Sequence, residues 1–314
     1  MTELALETEG LTKRFGETAA VDGLSFSVRR GEFFCIVGPD GAGKTTTIRL
    51  LTGIARPTRG LARIFGFDLV RDQGEVKRRL GYFSQKFTLY GDLTVDENIE
   101  FFAEIHGVRD FHTRRNELLA FTRLTPFRRR LAENLSGGMK QKLSLACTLV
   151  HTPDILLLDE PTTGVDPVSR RDFWKILLGL LQNGLTIVMT TPYLDEAERG
   201  SRVALMHLGR FVVVDTPANI KAMIKTPIIE LVCSDNRRAQ AVLRTIAETV
   251  DVQAFGDRIH LIVRDADRDL DAALRRLARE RIEVLHRRRV PPSLENAFIA
   301  LTRPTSSAQE AGRA

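Results

Sequence analysis

The chain has 314 residues, which is enough for one large domain and a smaller one with a sizeable buried core. Hydrophobic residues make up 43% and charged residues 27%, an ordinary balance for a soluble globular protein. The formal net charge of +6 fits a basic surface but does not by itself indicate a nucleic-acid binder.

Neither a signal peptide nor a membrane span is predicted. The N-terminal sequence M-T-E-L-A-L-E-T-E-G is acidic and lacks the basic start and apolar core of a signal peptide. One uncharged window, residues 176–194, is interrupted at residues 182–184, and each part is too short to cross a bilayer. Three distant cysteines in apolar runs are expected to be buried free thiols: Cys35, Cys147 and Cys233.

The chain begins with predicted strands. Residues 4–30 alternate apolar and polar positions, which predicts short antiparallel strands. Turns are expected at three glycines: Gly10, Gly16 and Gly23. Residues 31–37 form a continuous apolar run that predicts a buried strand, followed by a glycine-rich loop and a helix over 45–52. This strand–loop–helix order is typical of the opening unit of a parallel α/β sheet.

The central part is helical in pattern and then returns to buried strands. A helical pattern covers residues 92–150. Buried strands are predicted over 155–158 and 185–189, with a helix between them from about Pro167. These strands are expected to join the same parallel sheet.

The C-terminal part has a different pattern. Strand and helix signals over 228–285 follow the order β-α-β-β-α-β, the split βαβ arrangement, and a final amphipathic helix covers 294–301. We therefore predict two domains, 1–225 and 226–302. The polar tail, 303–314, is predicted to be disordered.

The glycine-rich loop reads G-P-D-G-A-G-K-T-T and matches the phosphate-binding pattern G-x-x-x-x-G-K-[ST]. Its glycines let backbone N–H groups converge on phosphate oxygens, and the following helix adds the positive end of its dipole. Lys44 can reach the β- and γ-phosphates, and the Thr45 hydroxyl can hold Mg²⁺. The predicted nucleotide-binding residues of this loop are Gly38, Asp40, Gly41, Ala42, Gly43, Lys44, Thr45 and Thr46.

A second acidic element follows a later strand. The run I-L-L-L-D-E ends in Asp159, which would hold Mg²⁺ through water, and Glu160, which would polarise an attacking water. An apolar run ending in Asp-Glu is weak evidence alone. Combined with a phosphate loop in the same chain, it predicts a nucleotide-hydrolysing site.

Three motifs together resemble a known family: G-P-D-G-A-G-K-T-T, L-S-G-G-M and L-L-L-D-E-P-T-T-G-V-D-P. Over about residues 4–225 they resemble the nucleotide-binding subunits of ATP-binding cassette (ABC) transporters. Their compact spacing is unlike the structural-maintenance ATPases of chromosomes, which place a long coiled coil between the motifs. The resemblance implies an α/β P-loop NTPase fold with a parallel-sheet core, an antiparallel β subdomain and a helical subdomain. The C-terminal domain is expected to be a small, ferredoxin-like α+β unit.

The resemblance also implies roles for single residues. Phe15 matches the aromatic residue that stacks on adenine, and Gln85 matches the glutamine that contacts Mg²⁺ and takes part in catalysis. Asp166 matches the aspartate that joins the two sites of a dimer. The motif that caps the γ-phosphate of the opposite subunit matches Ser136, Gly137 and Gly138.

Two kinds of protein partner are implied. Because the family sandwiches ATP between two cassettes, a second cassette is expected, either this chain or a close relative. A separately encoded membrane permease would hold the chain at the cytoplasmic face of the membrane. Phe87, Leu89 and Tyr90 either receive the permease or belong to the core. The segment L-Y-G-D-L-T-V-D-E-N-I-E-F-F-A-E-I-H-G-V, the aspartate of the phosphate loop and the tail P-S-L-E-N-A-F-I-A-L-T resemble ABC-2 type exporters of drugs or antibiotics.

The competing hypothesis is a soluble ABC ATPase that acts on ribosomes or DNA. Such translation factors usually carry two cassettes in one chain, whereas this chain has one. The basic clusters 128–130 and 287–289 are interpreted first as solvated faces or faces near anionic lipid, so no nucleic-acid partner is expected.

Three positions depart from the common family pattern: Asp40, Met139 and Pro192. Asp40 adds negative charge near the phosphates, and Met139 replaces the usual glutamine of the L-S-G-G motif. Pro192 stands where the family usually has a histidine that contacts the γ-phosphate, and proline has no donor. We therefore hypothesise slow hydrolysis carried by Glu160, Lys44 and Mg²⁺. A partner that supplies the histidine is the alternative.

Overall fold

The computed structural model describes residues 3–85, 89–247 and 249–302. The chain divides into two compact units between Pro217 and Ala218, earlier than the boundary at 225/226 expected from the sequence. The predicted tail, 303–314, and Phe87 lie outside the described residues. Within the described parts of the chain, no helix is long and apolar enough to cross a membrane.

Among its described residues, the first unit contains two sheets, seven α-helices and two short 3-10 helices (Thr125–Phe127 and Ala132–Asn134). Its strands are β1 (Leu4–Phe15), β2 (Thr18–Arg29), β3 (Phe33–Val37), β4 (Arg59–Ile64), β5 (Phe67–Asp68), β6 (Leu80–Phe83), β7 (Ile155–Asp159), β8 (Thr186–Thr191), β9 (Arg202–His207) and β10 (Arg210–Asp215). Its helices are α1 (Lys44–Leu51), α2 (Gln73–Arg79), α3 (Val95–Ile105), α4 (Phe111–Phe121), α5 (Gly137–Leu149), α6 (Pro167–Gln182) and α7 (Leu194–Ala197). A further helix, α8 (Pro217–Ala222), begins at the division.

A six-stranded sheet forms the centre of the first unit, in the order β10-β9-β3-β8-β7-β6. Its strands are parallel except for β10, which is antiparallel to β9. Every residue of β3, β7 and β8 is buried, as the continuous apolar runs predict for a sheet covered on both faces. Thr191 pairs with Val37, and Thr190 pairs with Asp159, so the carboxyl ends of these three strands share one edge.

The antiparallel sheet has the order β2-β1-β4-β5. Of the three turns predicted at glycines, two are wrong. Only Gly16 lies in a turn. Gly10 and Gly23 lie inside β1 and β2, with φ of 58° and 67°, where the register of the two strands shifts. Glycine tolerates this left-handed conformation, so each glycine produces a bulge within a long strand instead of ending it. Gly31, expected to open β3, lies in the preceding turn.

The second unit is an α+β domain with the β-α-β-β-α-β order predicted from the sequence. It contains β11 (Ile228–Cys233), α9 (Asn236–Leu243), β12 (Thr249–Phe255), β13 (Arg258–Val263), α10 (Arg268–Arg279), β14 (Val284–Val290) and α11 (Leu294–Thr302). The sheet order is β12-β13-β11-β14, and all neighbouring strands are antiparallel. One sheet face and the apolar stripes of α9 and α10 form a single core, which includes Leu231, Leu261 and Leu277.

A polar row crosses the other face of this second sheet. Arg288 and His260 both lie opposite Glu230, and Gln253 lies opposite His260. Arg288 Nε donates to Glu230 Oε1 at 2.6 Å, and this bond is the main reason that the pKa of Glu230 is lowered to about 2. Asn296 of α11 donates to Gln253 at 2.7 Å and lies 3.0 Å from His260 Nδ1. Hydrogen bonds therefore attach α11 to this face.

Several arginines of the two basic clusters have interaction partners within the chain. Arg128 pairs with Asp96 at 2.8 Å, and Arg130 lies over the ring of Phe127. In the second cluster, Arg288 pairs with the buried Glu230 as described. Residues 287–289 lie in β14, which extends beyond the strand predicted to end at residue 285. Arg129, Arg130 and residues 287–289 remain exposed, so the interpretation as solvated faces is compatible with the structure, while several of the guanidinium groups also pair within the chain.

Candidate active site

The phosphate-binding loop is pressed between neighbouring strands. A Cβ added at Gly38 would overlap the backbone oxygen of Met206 in β9, and one at Gly43 would overlap the backbone oxygen of Ala20 in β2. Gly43 also has a φ of 106°, which side-chain-bearing residues rarely adopt. These two positions therefore require glycine. They hold the loop at the carboxyl end of β3, directly before α1.

Lys44 is buried at the start of α1 and directs its ammonium group back into the loop. Its Nζ donates to the carbonyl oxygens of Gly38 at 2.8 Å and Pro39 at 3.0 Å. The same Nζ lies 3.1 Å from Glu160 Oε1 and 3.9 Å from Asp40. Asp40 is almost fully exposed, so solvent screens its charge, and Glu160 is the closer electrostatic partner.

Asp159 ends β7 within reach of two threonine hydroxyls. Thr45 Oγ1 donates to Asp159 Oδ1 at 3.1 Å, and Thr190 Oγ1 donates to the same oxygen at 2.8 Å. Burial raises the pKa of Asp159, and the two hydroxyl contacts partly offset that increase. The predicted metal residues Thr45 and Asp159 are therefore adjacent in the fold.

Glu160 is held from three sides. In addition to Lys44, Gln85 Nε2 lies 3.0 Å from Glu160 Oε2, and Thr163 Oγ1 lies 3.4 Å from it. The backbone N–H of Glu160 donates to the Thr190 carbonyl, and its φ is 48°. A positive φ is uncommon for a residue that is not glycine and often marks a functional site. The structure thus brings together the three predicted catalytic residues Lys44, Gln85 and Glu160.

The other loop residues complete the turn into α1. Ala42 is buried, and its carbonyl accepts from the N–H of Gly209 at 2.9 Å. Gly41 is exposed with a φ of 78°, and Thr46 is half-buried in the first turn of the helix.

The remaining predicted site residues lie at element ends. Phe15 closes β1 with 59% of its surface exposed, as a base-stacking residue requires. Ser136 is the N-cap of α5, and its Oγ accepts from Met139 N at 3.4 Å. Gly137 and Gly138 follow in the first turn. Asp166 is the N-cap of α6, and hydrogen bonds from Ser169 and Val168 hold its pKa below the usual value.

Pro192 directly follows β8 and is half-buried. Because Thr191 pairs with Val37 and Thr190 with Asp159, Pro192 is level with Gly38 and one residue beyond Glu160. This is the edge where the phosphate loop and the acidic residues meet, and proline offers no donor there. The adjacent Tyr193 has its ring under a guanidinium group, 4.8 Å from Arg170 Cζ.

Sequence reasoning missed the side chains that support the acidic residues. Thr190 bonds to both Asp159 and the backbone of Glu160. Glu196, in the first turn of α7, is a buried carboxylate that accepts hydrogen bonds from two threonine hydroxyls. The sequence did contain one sign of this support, a pair of threonines at the end of an apolar strand. A buried hydroxyl needs a hydrogen-bond partner, so these threonines indicated polar side chains nearby.

Comparison with known proteins identifies relatives of the whole chain and of its first unit. The model of the family "ABC transporter" matches residues 21–163. The probable multidrug ABC transporter ATP-binding protein YbhF of Escherichia coli K12 is 42% identical over 225 residues, which is 70% of this chain but only 38% of YbhF. The daunorubicin/doxorubicin resistance ATP-binding protein DrrA of Streptomyces peucetius is 38% identical over 304 residues, covering 95% of this chain and 92% of DrrA.

A solved structure shares the fold of the first unit. It is the dimeric post-hydrolysis state of the ATP-binding cassette MJ0796 bound to ADP and Pi, with a TM-score of 0.61 and 27% sequence identity. The match covers 67% of this chain and 98% of that one. The architecture predicted from the three motifs is thereby confirmed. With a phosphate loop, an Asp-Glu strand end and full-length relatives, this chain belongs to the ATP-binding subunits of ABC transporters, a family of ATPases.

Proposed function

We propose that this chain hydrolyses ATP to power a separately encoded membrane permease that exports a drug-like or antibiotic molecule. The observation that carries the proposal is the convergence of Lys44, Gln85 and Glu160 on one edge of the sheet, in a chain similar to DrrA over nearly its full length. The names of the relatives support export and drug resistance, and the residues of the site support ATP hydrolysis.

Mg²⁺ is part of the proposal, and the residues present fit it. Mg²⁺ prefers oxygen ligands and is usually held by one or two carboxylates together with substrate phosphates. Thr45 and Asp159 offer oxygens 3.1 Å apart, and Gln85, whose Nε2 donates to Glu160 Oε2, carries an amide oxygen as a further potential ligand. A bound cation would also favour the ionised form of Asp159, which burial alone disfavours. When bound, Mg²⁺ neutralises charge that develops on the phosphates.

Each catalytic residue has a task that its position supports. Lys44 places a buried positive charge beside the loop carbonyls, where the β- and γ-phosphates would lie. Glu160 accepts hydrogen bonds and can polarise a water, while Gln85 orients its second oxygen. Pro192 contributes no donor, so hydrolysis is expected to be slow without a histidine from elsewhere.

The proposed working unit contains two cassettes. Ser136 N-caps α5, so the first N–H groups of this helix can face an anion, as the γ-phosphate of the opposite subunit requires. One chain has a single copy of this motif. The dimeric MJ0796 structure supports a pairing of this kind, either between two copies of this chain or with a close relative.

The proposed permease contact lies near Tyr90, on the cytoplasmic side of the membrane. Tyr90 is exposed, and Leu89 is half-buried. The buried amide of Asn98 fixes this segment by donating to the carbonyls of Tyr90 at 3.0 Å and Leu93 at 3.1 Å. A rigid, exposed aromatic residue suits a docking surface for a helix of an ABC-2 type permease.

The test is to co-express the chain with an ABC-2 type permease and to measure ATP-dependent uptake of an anthracycline into inside-out vesicles. Uptake above vesicles that carry Glu160→Gln would support the proposal. Tyr90→Ala should reduce both co-purification with the permease and uptake, while leaving basal ATPase activity intact. Co-purification with ribosomes or RNA in place of the permease would overturn the transport function.

A further inference from the structure

A buried carboxylate lies behind the acidic residues of the site. Glu196, in α7, has only 1% of its surface exposed. Its Oε2 accepts hydrogen bonds from the hydroxyls of Thr162 and Thr191, both at 2.8 Å. Burying a carboxylate costs free energy unless it is paired and hydrogen-bonded. Breaking either bond would leave it unsatisfied, so both threonine side chains are held in place.

The other oxygen of Glu196 faces an arginine that it does not quite reach. Arg170 Nε lies 3.6 Å from Glu196 Oε1, which is too long for a hydrogen bond. Among the residues that the structure describes, neither of these two buried atoms has a hydrogen-bond partner. Buried polar atoms are normally satisfied. A shift of a few tenths of an ångström in α6 would convert this contact into a charge-assisted hydrogen bond.

The carboxylate is hydrogen-bonded to two segments that carry site residues and lies near a third. Thr162 follows Glu160 by two positions, and Thr191 lies between Thr190 and Pro192 at the end of β8. Arg170 lies in the first turns of α6, whose N-cap is Asp166.

We propose that Glu196 is a positioning residue for ATP hydrolysis, which, together with Arg170, holds the Glu160 loop in register with the end of β8 and with α6. Glu196 touches no substrate. It acts through Thr162 and Thr191, and misplacing a catalytic group by about 1 Å can cost on the order of 100-fold in rate. The inference concerns hydrolysis and holds whether or not the chain drives a permease.

Glu196→Gln in the full chain is the primary test. Glutamine keeps the size of the side chain but removes its charge, and its NH₂ group must face either the Arg170 guanidinium, another donor, or the threonine hydroxyls, which then could no longer donate to that end. We expect kcat for ATP hydrolysis to fall by roughly 10- to 100-fold, the equivalent of one lost charged hydrogen bond. KM for ATP should stay within about twofold, because the loop that binds the phosphates is not touched.

Glu32→Gln is the matched control. Glu32 is also a buried carboxylate; it pairs with Arg202 at 3.2 Å and accepts from Arg29 N at 2.7 Å. It precedes β3 at the amino end of the strands, away from the phosphate edge. Its substitution should lower the melting temperature, as we also expect for Glu196→Gln, and leave kcat unchanged.

Two outcomes would overturn the positioning role: wild-type kcat in Glu196→Gln, or an equal loss of kcat in both variants, which would indicate general softening of the fold. If Glu196→Gln does not fold, Arg170→Gln tests the same pair, because 29% of the arginine side chain is exposed and its loss is better tolerated. A wild-type kcat in Arg170→Gln would then refute the proposal, whereas a drop in kcat with unchanged KM would support it.

Discussion

Replacing Pro192 with histidine should accelerate ATP hydrolysis. The strand register places residue 192 level with Gly38 and one position beyond Glu160, so an imidazole there can donate toward the phosphate that Gly38 cradles. One preorganised donor to developing charge typically contributes about 2.7–4 kcal/mol, or roughly 10²–10³ in rate. Glu160 is already held by Lys44 and Gln85, so we expect the lower end, about 100-fold in kcat.

The assay is steady-state ATPase activity at saturating Mg-ATP, with KM measured in parallel. Pro192→Ala is the control, because it removes the ring and restores a backbone N–H without adding an imidazole. It should leave kcat near the wild-type value. The reasoning fails if Pro192→His does not raise kcat. It also fails if Pro192→Ala raises kcat as much as Pro192→His does. The rigid backbone of the proline, and not the missing imidazole, would then limit the rate of hydrolysis.

Three further substitutions test the packing around the site and the second domain. Gly43→Ala should abolish binding of a fluorescent ATP analogue, because its Cβ would overlap the Ala20 carbonyl at a φ of 106°; retained binding would contradict this. Gly138→Ala should destabilise the fold by about 1–3 kcal/mol in urea unfolding, because its Cβ would overlap Ser169. Glu230→Gln should lower stability by about 1–3 kcal/mol at pH 7. Because the pKa of Glu230 is lowered from 4.5 to about 2, its contribution should be complete above about pH 4.5 and lost as the pH falls toward 2, so the two unfolding curves should converge in acid.

Short-range patterns carried most of the prediction. The phosphate loop and the Asp159-Glu160 pair are each encoded by fewer than about ten consecutive residues. Their positions could be predicted because a strand that leads directly into a loop fixes where its last side chains lie. For the same reason, the β-α-β-β-α-β order of the second domain could be read from alternating and helical stripes.

Long-range contacts could not be read in the same way. The Thr162–Glu196 hydrogen bond joins residues 34 positions apart and exists only because β7 and β8 are neighbours in the sheet. Strand order is a property of the whole fold, so no local pattern reveals it. Gly10 and Gly23 show a different limit: a glycine between strand-like residues is compatible with a turn or with a bulge, and only the pairing partner decides which one forms.

The bonds made by Asn296 determine where this chain can be cut or extended. Its amide lies over Gln253 and beside His260, and both Asn296 and Gln253 are buried. A tag or fusion partner attached after Thr302 leaves those bonds intact. A truncation before Leu294 would remove Asn296 and leave the buried amide of Gln253 and the imidazole of His260 without these partners. A shortened or fused form of the protein should therefore keep α11 together with the second sheet.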